Sequence, residues 1–183
     1  YVEIATIGNS VNFGDCTTVR RDHAALASPT RGIAAGGTGS SLLNSSEFIT
    51  ISSLGDGTDF GDLLNTARGQ RGFSNSTRGI IMGGYTPSRL SVIQFITIAS
   101  TGNASYFGDL TSRRSSIAAG GCSNQIRGIC AGGYEDPSGG NVNTIDYITI
   151  TSAGDAIDFG DLSAESWSQA AACSDSHGGL GGY

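Results

Sequence analysis

A Phe-Gly-Asp triplet occurs four times along this chain, and its repetition limits the folds that the chain can adopt. The phenylalanines are separated by steps of 47, 47 and 52 residues. Self-similarity at a fixed period of about 20 to 50 residues indicates a solenoid, a propeller or another repeat array. The repeated residues are Phe13, Asp15, Phe60, Asp62, Phe107, Asp109, Phe159 and Asp161.

Other markers recur in the same order between the triplets. A glycine doublet stands at Gly36 and Gly37, Gly83 and Gly84, Gly132 and Gly133, and Gly181 and Gly182. A strand-like phrase begins at Tyr1, Phe48, Phe95 and Tyr147, and an Arg-Gly pair begins at Arg31, Arg78 and Arg127. We therefore interpret residues 1–183 as one domain of repeats, at about 1–47, 48–94, 95–146 and 147–183.

The second repeat shows what each unit contains. Its four segments are predicted as strands at about 67–74, 78–85, 92–100 and through Tyr106 and Phe107. The apolar run Ile80, Ile81 and Met82 is typical of a strand that is covered on both faces. In the third segment, Ile96 and Ile98 alternate with polar or aromatic residues. Glycine interrupts every window that could hold a helix, so the sequence predicts an all-β chain.

A four-stranded unit with a double glycine, repeated radially, is typical of a β-propeller blade. The doublet allows the backbone to leave the second strand with positive φ, and allows a neighbouring backbone or ring to approach closely. Three blades are complete, at about 20–64, 67–110 and 113–162.

The remaining segments lie at the two ends of the chain. Residues 1–8 and 11–16 are predicted as two strands, and residues 166–183 as two more. Together they predict a fourth blade shared between the termini, which would remove two unpaired sheet edges and close a four-bladed ring. A segment of a longer array, and a larger ring completed by a second copy, remain open.

These markers resemble the kelch repeat family over the whole chain. The resemblance rests on arginines near the first strand, on the apolar strand that ends in the glycine doublet, and on the aromatic residue of the third strand. Kelch repeats carry a tryptophan soon after that aromatic, whereas Trp167 is the only tryptophan here and stands elsewhere. The arginines are Arg20, Arg68 and Arg113, and the aromatics are Phe48, Phe95 and Tyr147.

The sequence of the repeats also resembles the sequences of tandem-repeat structural proteins of tailed bacteriophages, especially cyanophages. That resemblance implies a virion or extracellular location and brings no catalytic motif. It favours a non-enzymatic module, in a fibre, tail or capsid surface, which presents the loops 38–45, 86–91 and 135–143 to other structural proteins. The alternatives are a lectin-like propeller that binds host-surface glycans, a segment of a longer extracellular filament, and an enzyme with a site in a central channel.

Charge and composition narrow the partners further. The net charge is −6 and the pI is about 4.6, which disfavours nucleic-acid binding. All 10 basic residues are arginines, so lysine-based Schiff-base and P-loop mechanisms are excluded. No apolar run approaches the roughly 20 residues needed to span a bilayer, so no membrane insertion is expected. A homo-oligomer remains open.

The candidate chemical groups favour structural roles. An aspartate copied into every unit is expected to bond turn amides or a nearby arginine, because a catalytic acid needs one singular environment. A ring of ligand-binding arginines and a calcium site at 55–62 are the lesser alternatives. Only His23 and His177 are available as imidazole ligands, so we predict no metal and no cofactor. Tyr85 and Tyr134, each after a doublet, are the candidate ligand contacts.

Four cysteines are scattered along the chain, at Cys16, Cys122, Cys130 and Cys173. Cys16 takes the position that leucine holds in the other repeats, so it is predicted to be a small core residue. We expect free buried thiols, with one disulfide as the alternative.

Overall fold

The computed structural model describes residues 1–3, 5–117, 119–136 and 139–166. These ranges contain 14 strands and no helix, and all strands that pair with each other are antiparallel. The predicted all-β class is therefore confirmed.

Twelve of the strands form three four-stranded sheets, in each of which the strands lie side by side in chain order. Sheet 1 contains β1 (Ala24–Ala27), β2 (Arg31–Ala35), β3 (Ser45–Thr50) and β4 (Thr58–Asp62). Sheet 2 contains β5 (Arg71–Ser74), β6 (Arg78–Met82), β7 (Val92–Thr97) and β8 (Ser105–Asp109). Sheet 3 contains β10 (Ala119–Ser123), β11 (Arg127–Ala131), β13 (Val142–Thr149) and β14 (Ile157–Ser166). Sheets 1 and 2 fall within the predicted complete units 20–64 and 67–110. Sheet 3 lies in the unit 113–162, except that its last strand continues four residues further, to Ser166.

A short two-stranded sheet, which the sequence did not predict, pairs β9 (Arg113–Ser115) with β12 (Tyr134–Asp136). Isolated bridges between Arg21 and Thr38, and between Arg68 and Tyr85, occupy the corresponding places in the other units. In each unit, therefore, residues just after the glycine doublet pair with the segment that precedes the first strand of the four-stranded sheet.

The three sheets share one register. The first residue of the second strand, which is Arg31, Arg78 or Arg127, pairs with a threonine of the third strand in every sheet. Each pairing of the third and fourth strands shifts register next to the Phe-Gly-Asp triplet. A β-bulge of this kind leaves one residue unpaired and turns its side chain. The repeated triplet therefore marks a repeated irregularity of the fourth strand.

The hydrophobic core lies between neighbouring sheets. One cluster of buried residues combines Leu26 and Ile33 of sheet 1 with Ile81 and Ile96 of sheet 2. A second cluster combines residues of sheets 2 and 3, including Phe73, Ile80, Cys130 and Ile148. The first strands β1, β5 and β10 also contact one another in succession. Each sheet is therefore covered on both faces only where it has a neighbour on both sides, which accounts for the continuous apolar run of β6.

The glycine doublets lie where each second strand ends, and all six described glycines have positive φ, from +60° to +114°. In two units the second glycine, Gly37 or Gly84, donates its N–H to a carbonyl of the following unit, at Ala67 or Arg114, over 2.9 Å. A Cβ on Gly83 would lie 2.5 Å from the Arg114 carbonyl oxygen. The doublet therefore combines a left-handed turn with close approach of the next unit.

The N-terminal segment differs from its prediction. The described residues among 1–23 form no strand, although two were expected in 1–8 and 11–16. Tyr1 and Val11 still exchange two backbone hydrogen bonds, of 2.7 and 2.8 Å, and the Tyr1 and Phe13 rings lie 6.1 Å apart, edge to face. The segment keeps the geometry of a third and fourth strand, but no described second strand pairs with it.

The predicted C-terminal half of the fourth blade, together with Gly181, Gly182, Trp167, His177 and Cys173, lies outside the described residues. No closed ring of sheets is present in the ranges that the structure describes.

The expectation for Cys16 was wrong. Its side chain is exposed, whereas the leucines at the same position, Leu63 and Leu110, are 4% and 5% exposed. Those leucines lie between two sheets, and the described part of the N-terminal unit supplies no sheet to cover Cys16. Cys122 and Cys130 are free thiols as well, half-buried and buried respectively.

Candidate interaction site: the contact between neighbouring units

One contact between successive units is formed three times. It joins the turn before a fourth strand to the Phe-Gly-Asp triplet of the preceding unit, and we call it the turn-edge contact. The turns are residues 55–57, 102–104 and 154–156, and the edges are residues 13–15, 60–62 and 107–109. From the repeated aromatic at Tyr1, Phe48, Phe95 and Tyr147 to the aspartate of the triplet, all four repeats align over 15 residues without a gap. The equivalent positions are therefore certain.

Three hydrogen bonds define the contact. At the middle site, the Gly102 N–H donates to the Phe60 carbonyl over 2.7 Å, and the Ala104 N–H donates to the Asp62 carbonyl over 2.8 Å. In return, the Asp62 N–H donates to the Asn103 side-chain oxygen over 2.9 Å. The first and third sites repeat these bonds at 2.8 to 3.0 Å, with Asp56 and Asp155 in the place of Asn103.

The triplet glycine is required where the two chains meet. A Cβ on Gly61 would lie 2.5 Å from the Gly102 carbonyl oxygen, and one on Gly14 or Gly108 would lie 2.2 Å from the equivalent oxygen. Real Cβ atoms do not approach an oxygen so closely, so a side chain here would separate the units. The adjacent phenylalanines Phe60 and Phe107 are 2% exposed.

The repeated aspartates take part through their backbone. Asp15, Asp62 and Asp109 each offer the N–H and the carbonyl to the following turn, as described above. Among the described residues, no arginine is paired with a repeated aspartate. The Asp109 side chain accepts hydrogen bonds from Ser91 at 2.8 Å and from Tyr106 at 2.5 Å. The bond to Asp109 raises the pKa of the Tyr106 hydroxyl to about 12. These contacts shape a turn, and they leave the Tyr106 ring exposed.

The arginines of the Arg-Gly pairs form a second link. Arg31 and Arg78 lie over the rings of Phe48 and Phe95, with 4.3 and 4.4 Å from guanidinium carbon to ring centroid. Each also donates to a main-chain carbonyl of the following unit, at Ile98 or Ile150, over 2.9 Å. Arg127 lies over Tyr147 at 4.8 Å, but no described carbonyl accepts from its side chain.

Two buried ion pairs form a third link, which the sequence reasoning missed. In sheet 1, Arg20 pairs with Glu47 at 2.8 Å, and both side chains are at most 4% exposed. In the third unit, fully buried Arg114 of β9 pairs with Asp146 of β13. The Nη1 of each arginine also donates to two main-chain carbonyls, which adds hydrogen bonds to the buried ion pair.

The carboxylate of each pair also holds the end of the preceding unit. Thr17 donates its N–H and hydroxyl to Glu47, at 2.7 and 2.6 Å, and Thr111 binds Asp146 in the same way. Burial acts to raise the pKa of Glu47, but the Thr17 hydrogen bonds and the Arg20 guanidinium together hold it below its usual value. In sheet 2, Ala67 and Gln94 replace the pair, and Gln94 accepts from the Leu64 N–H at 2.8 Å.

The two candidate ligand contacts pack against arginine side chains. Arg89 lies over the Tyr134 ring at 4.0 Å and near the Tyr85 ring at 5.6 Å, and Arg68 lies over Tyr85 at 5.3 Å. Arg89 is also held by Asp136 through an ion pair of 2.5 Å. Both tyrosines are half-buried. A sugar ring that stacks on Tyr134 would compete with Arg89 for the same aromatic surface.

The three aspartates of the acidic stretch 55–62 do not share one structural role. Asp56 accepts from the Asp15 N–H, and Asp59 and Asp62 lie on β4. Within the described ranges, no three His, Cys, Asp or Glu side chains are grouped so that they could hold a metal ion. Nor do these ranges contain a helix long and apolar enough to cross a membrane.

The cysteine environments do not favour reactive thiolates. Burial raises the pKa of the Cys130 thiol to about 12. Burial and the neighbouring Glu47 also raise the pKa of Cys16. Both thiols are therefore protonated at neutral pH, and the thiolate is the nucleophilic form.

Comparison with known proteins adds no family to this description. No protein-family model matches the chain, and a search of curated proteins finds no significant match.

Proposed function

We propose that the protein is a non-enzymatic structural or interaction module, built as a rigid kelch-like β-propeller. In this proposal the three sheets are consecutive blades around an axis. A fourth blade combines strands from the two ends of the polypeptide, residues 1–16 and residues 166–183, which gives four blades per chain.

The way the sheets contact one another supports a radial arrangement. The first strands β1, β5 and β10 touch in succession, and Ser74 of β5 bonds both neighbours. Its hydroxyl donates to the Ala27 carbonyl at 2.5 Å, and its carbonyl accepts from the Ser123 hydroxyl at 2.8 Å. In a propeller, the first strands are the innermost ones and lie close around the axis.

The use of the repeated polar groups supports a scaffold role. Two of the repeated arginines, three of the repeated aspartates and the carboxylates of the buried ion pairs join one unit to the next. A catalytic acid or nucleophile would instead need a cleft and one singular environment. The observation that carries the proposal is the turn-edge contact, formed three times with the same hydrogen bonds.

We assign the module to the particle of a tailed bacteriophage, as a fibre, tail or capsid-surface component, or to an extracellular structure. This assignment rests on the resemblance of the repeat sequence to tandem-repeat structural proteins of tailed bacteriophages. The loops 38–45, 86–91 and 135–143 differ in length and composition while the strands stay constant, which suits contacts with other structural proteins.

Two measurements test these proposals separately. Negative-stain images of the isolated chain should show blades around a common axis, and a straight ladder of sheets would contradict the propeller. Mass spectrometry of gradient-purified phage particles should detect tryptic peptides of the chain in constant proportion to the capsid protein. Peptides found only in the unbound fraction would contradict the virion assignment.

The open ends of the array favour a second candidate, a segment that continues into a longer filament. A glycan-binding role is less favoured, because the Tyr85 and Tyr134 rings already contact arginines. A glycan array distinguishes that role: binding that a free sugar competes away, and that Tyr134→Ala abolishes, would establish it against our proposal.

A further inference from the structure

The two ends of the described array carry complementary halves of the turn-edge contact. By the gapless alignment, Gly8, Asn9 and Ser10 form the turn of the first repeat, and Phe159, Gly160 and Asp161 form the edge of the last. The edge is identical to that of the middle site, Phe60, Gly61 and Asp62, and the turn differs from Gly102, Asn103 and Ala104 only by Ser10 in the place of Ala104. A fourth contact of the same kind can therefore be formed.

No described residue occupies the edge half. Phe159 is 53% exposed, whereas Phe60 and Phe107 are 2% exposed. A Cβ on Gly160 would meet no atom within 4 Å, although the other three triplet glycines each face a carbonyl oxygen at 2.2 to 2.5 Å. Gly160 nevertheless has the same φ of +135° as Gly61. At Gly160 the edge therefore has the backbone conformation of the occupied middle site, although no described turn is bound to it.

The turn half is also unoccupied. Ser10 is exposed, whereas Ala104 and Ala156, at the same position in bound turns, are 7% and 9% exposed. Among the described residues, no carbonyl accepts from the Gly8 or Ser10 N–H, and no side chain accepts from the Asp161 N–H. The Asn9 carboxamide is the same acceptor group as that of Asn103.

The arginine link is incomplete at this end as well. Arg127 is exposed and holds its aromatic partner, but it lacks the carbonyl acceptor that Arg31 and Arg78 find in a following unit. The turn-edge contact and the arginine link therefore both lack their partner at the same face of sheet 3. That face is the binding surface for one more repeat.

We propose that the edge 159–161 of one copy binds the turn 8–10 of a second copy of this chain, head to tail. The occupant is a second copy because the chain's own turn is present and exposed while the edge remains free. This inference rests on the proposed mixed blade, and it specifies that its two halves come from different chains. A head-to-tail contact is heterologous, so it generates a closed ring or an open filament.

The expected contact copies the middle site. The Gly8 N–H donates to the Phe159 carbonyl, the Ser10 N–H donates to the Asp161 carbonyl, and the Asp161 N–H donates to the Asn9 side-chain oxygen. The incoming turn also covers Phe159, and burial of an exposed aromatic favours association.

Complementation between two defective copies tests the proposal. Phe159→Asp places a charge on the edge, and Ser10→Pro removes the N–H that donates to Asp161. In sedimentation velocity, the unaltered chain should associate as its concentration rises, and each variant alone should show a dissociation constant raised by about tenfold or more. An equimolar mixture of the two variants should form a dimer, because each supplies the half that the other has lost. The dimer should not grow further, because its two remaining halves are both defective.

Two controls keep the test specific. Ser10→Ala keeps the backbone N–H and should associate as the unaltered chain does. Val19→Asp adds a charge at an apolar residue that is 88% exposed and lies outside both halves, and it should also leave association unchanged. Formation of the mixed dimer shows in addition that both variants are folded.

Three results would overturn the inference. The first is an unaltered chain that stays monomeric at every concentration, and the second is association that neither variant weakens. The third is a mixture that associates no better than its components. A monomer whose images show a closed four-bladed ring would leave the proposed function standing and would assign the fourth contact to the two ends of one chain.

Discussion

The middle of the array and its two ends contain the same residues in different surroundings. Phe60 and Phe107 are buried under the turn of the following unit, while Phe159 is half exposed and Phe13 is half-buried. The same holds for the isoleucines that follow the third strands, since Ile98 and Ile150 are at most 1% exposed and Ile51 is 45% exposed. Each residue's environment is therefore set by whether a neighbouring unit is present.

This difference indicates that the interactions that stabilise a single unit are not the ones that join the units into an array. The strand register, the bulge and the edge-to-face aromatic pair are formed in sheet 3, at the C-terminal end, as well as in sheet 2, with ring centroids 6.0 and 6.1 Å apart. Burial of the triplet phenylalanine requires a following unit in addition, since Phe159, which has none among the described residues, is 53% exposed. Stability in such arrays is approximately a sum of terms for each repeat and for each interface between neighbours.

The largest expected difference is between two equivalent phenylalanines. Phe107→Ala removes a buried ring between two sheets and should lower the free energy of unfolding by about 3 to 5 kcal/mol. Phe159→Ala removes an exposed ring and its pairing with Tyr147, and should cost about 1 kcal/mol in dilute protein. Urea unfolding followed by circular dichroism measures both. Equal losses would mean that the two ends are covered in solution.

A matched pair of glycines separates backbone strain from contact between units. Gly61 and Gly160 share a φ of +135°, so an alanine is strained at both, by about 1 to 3 kcal/mol. Only at Gly61 would the new Cβ meet a carbonyl oxygen, and we expect Gly61→Ala to cost about 1 to 3 kcal/mol more than Gly160→Ala. The same urea unfolding measures this difference, and its absence would contradict the close approach.

The asparagines of two turns give a smaller effect. Asn103→Ala removes the acceptor of the Asp62 N–H and should lower the free energy of unfolding by about 1 kcal/mol. Asn9→Ala should change the stability of the dilute chain by a few tenths of a kcal/mol at most, because its equivalent bond is not made. Thermal unfolding of the two variants in parallel makes the comparison, and a clear loss in Asn9→Ala would show that the first turn is already bound.

The smallest effect concerns pH at the N-terminal junction. Because the folded-state pKa of Glu47 lies below its ordinary value of 4.5, its ionised form stabilises the fold. That stabilisation is present above about pH 4.5 and is lost as the pH falls through the folded-state pKa. We expect Glu47→Gln, which copies Gln94, to reduce the loss of stability on acidification. Unfolding free energies measured from pH 6 down to pH 3 test this, and identical pH profiles would refute it.

The sequence predicted the three sheets well because their signals are local and periodic. The aromatic, the alternating isoleucines and the triplet recur at fixed spacing, and each marks a strand or its end. The N-terminal strands were predicted from the same phrases, but a third and fourth strand need a second strand as a pairing partner. No such partner lies among the described residues.

The links between units were harder to predict because their partners are distant in sequence. Arg20 and Glu47 are 27 residues apart, and the middle unit breaks the pattern with Ala67 and Gln94. The sequence reasoning chose Arg68 and Arg113, which are one residue out of register with Ala67 and Arg114. Cys16 was placed in the core because its equivalents are buried leucines, and periodicity alone does not show which repeats lack a neighbour.

Amide hydrogen exchange, followed by NMR at low protein concentration, tests the central claim most directly. The account predicts slow exchange for the N–H groups that the contact binds, at Gly102, Ala104, Gly154 and Ala156, and fast exchange for Gly8 and Ser10. On concentrating the sample, Gly8 and Ser10 should become protected as copies dock. Slow exchange of Gly8 and Ser10 in the most dilute sample, or fast exchange of all six amides, would contradict it.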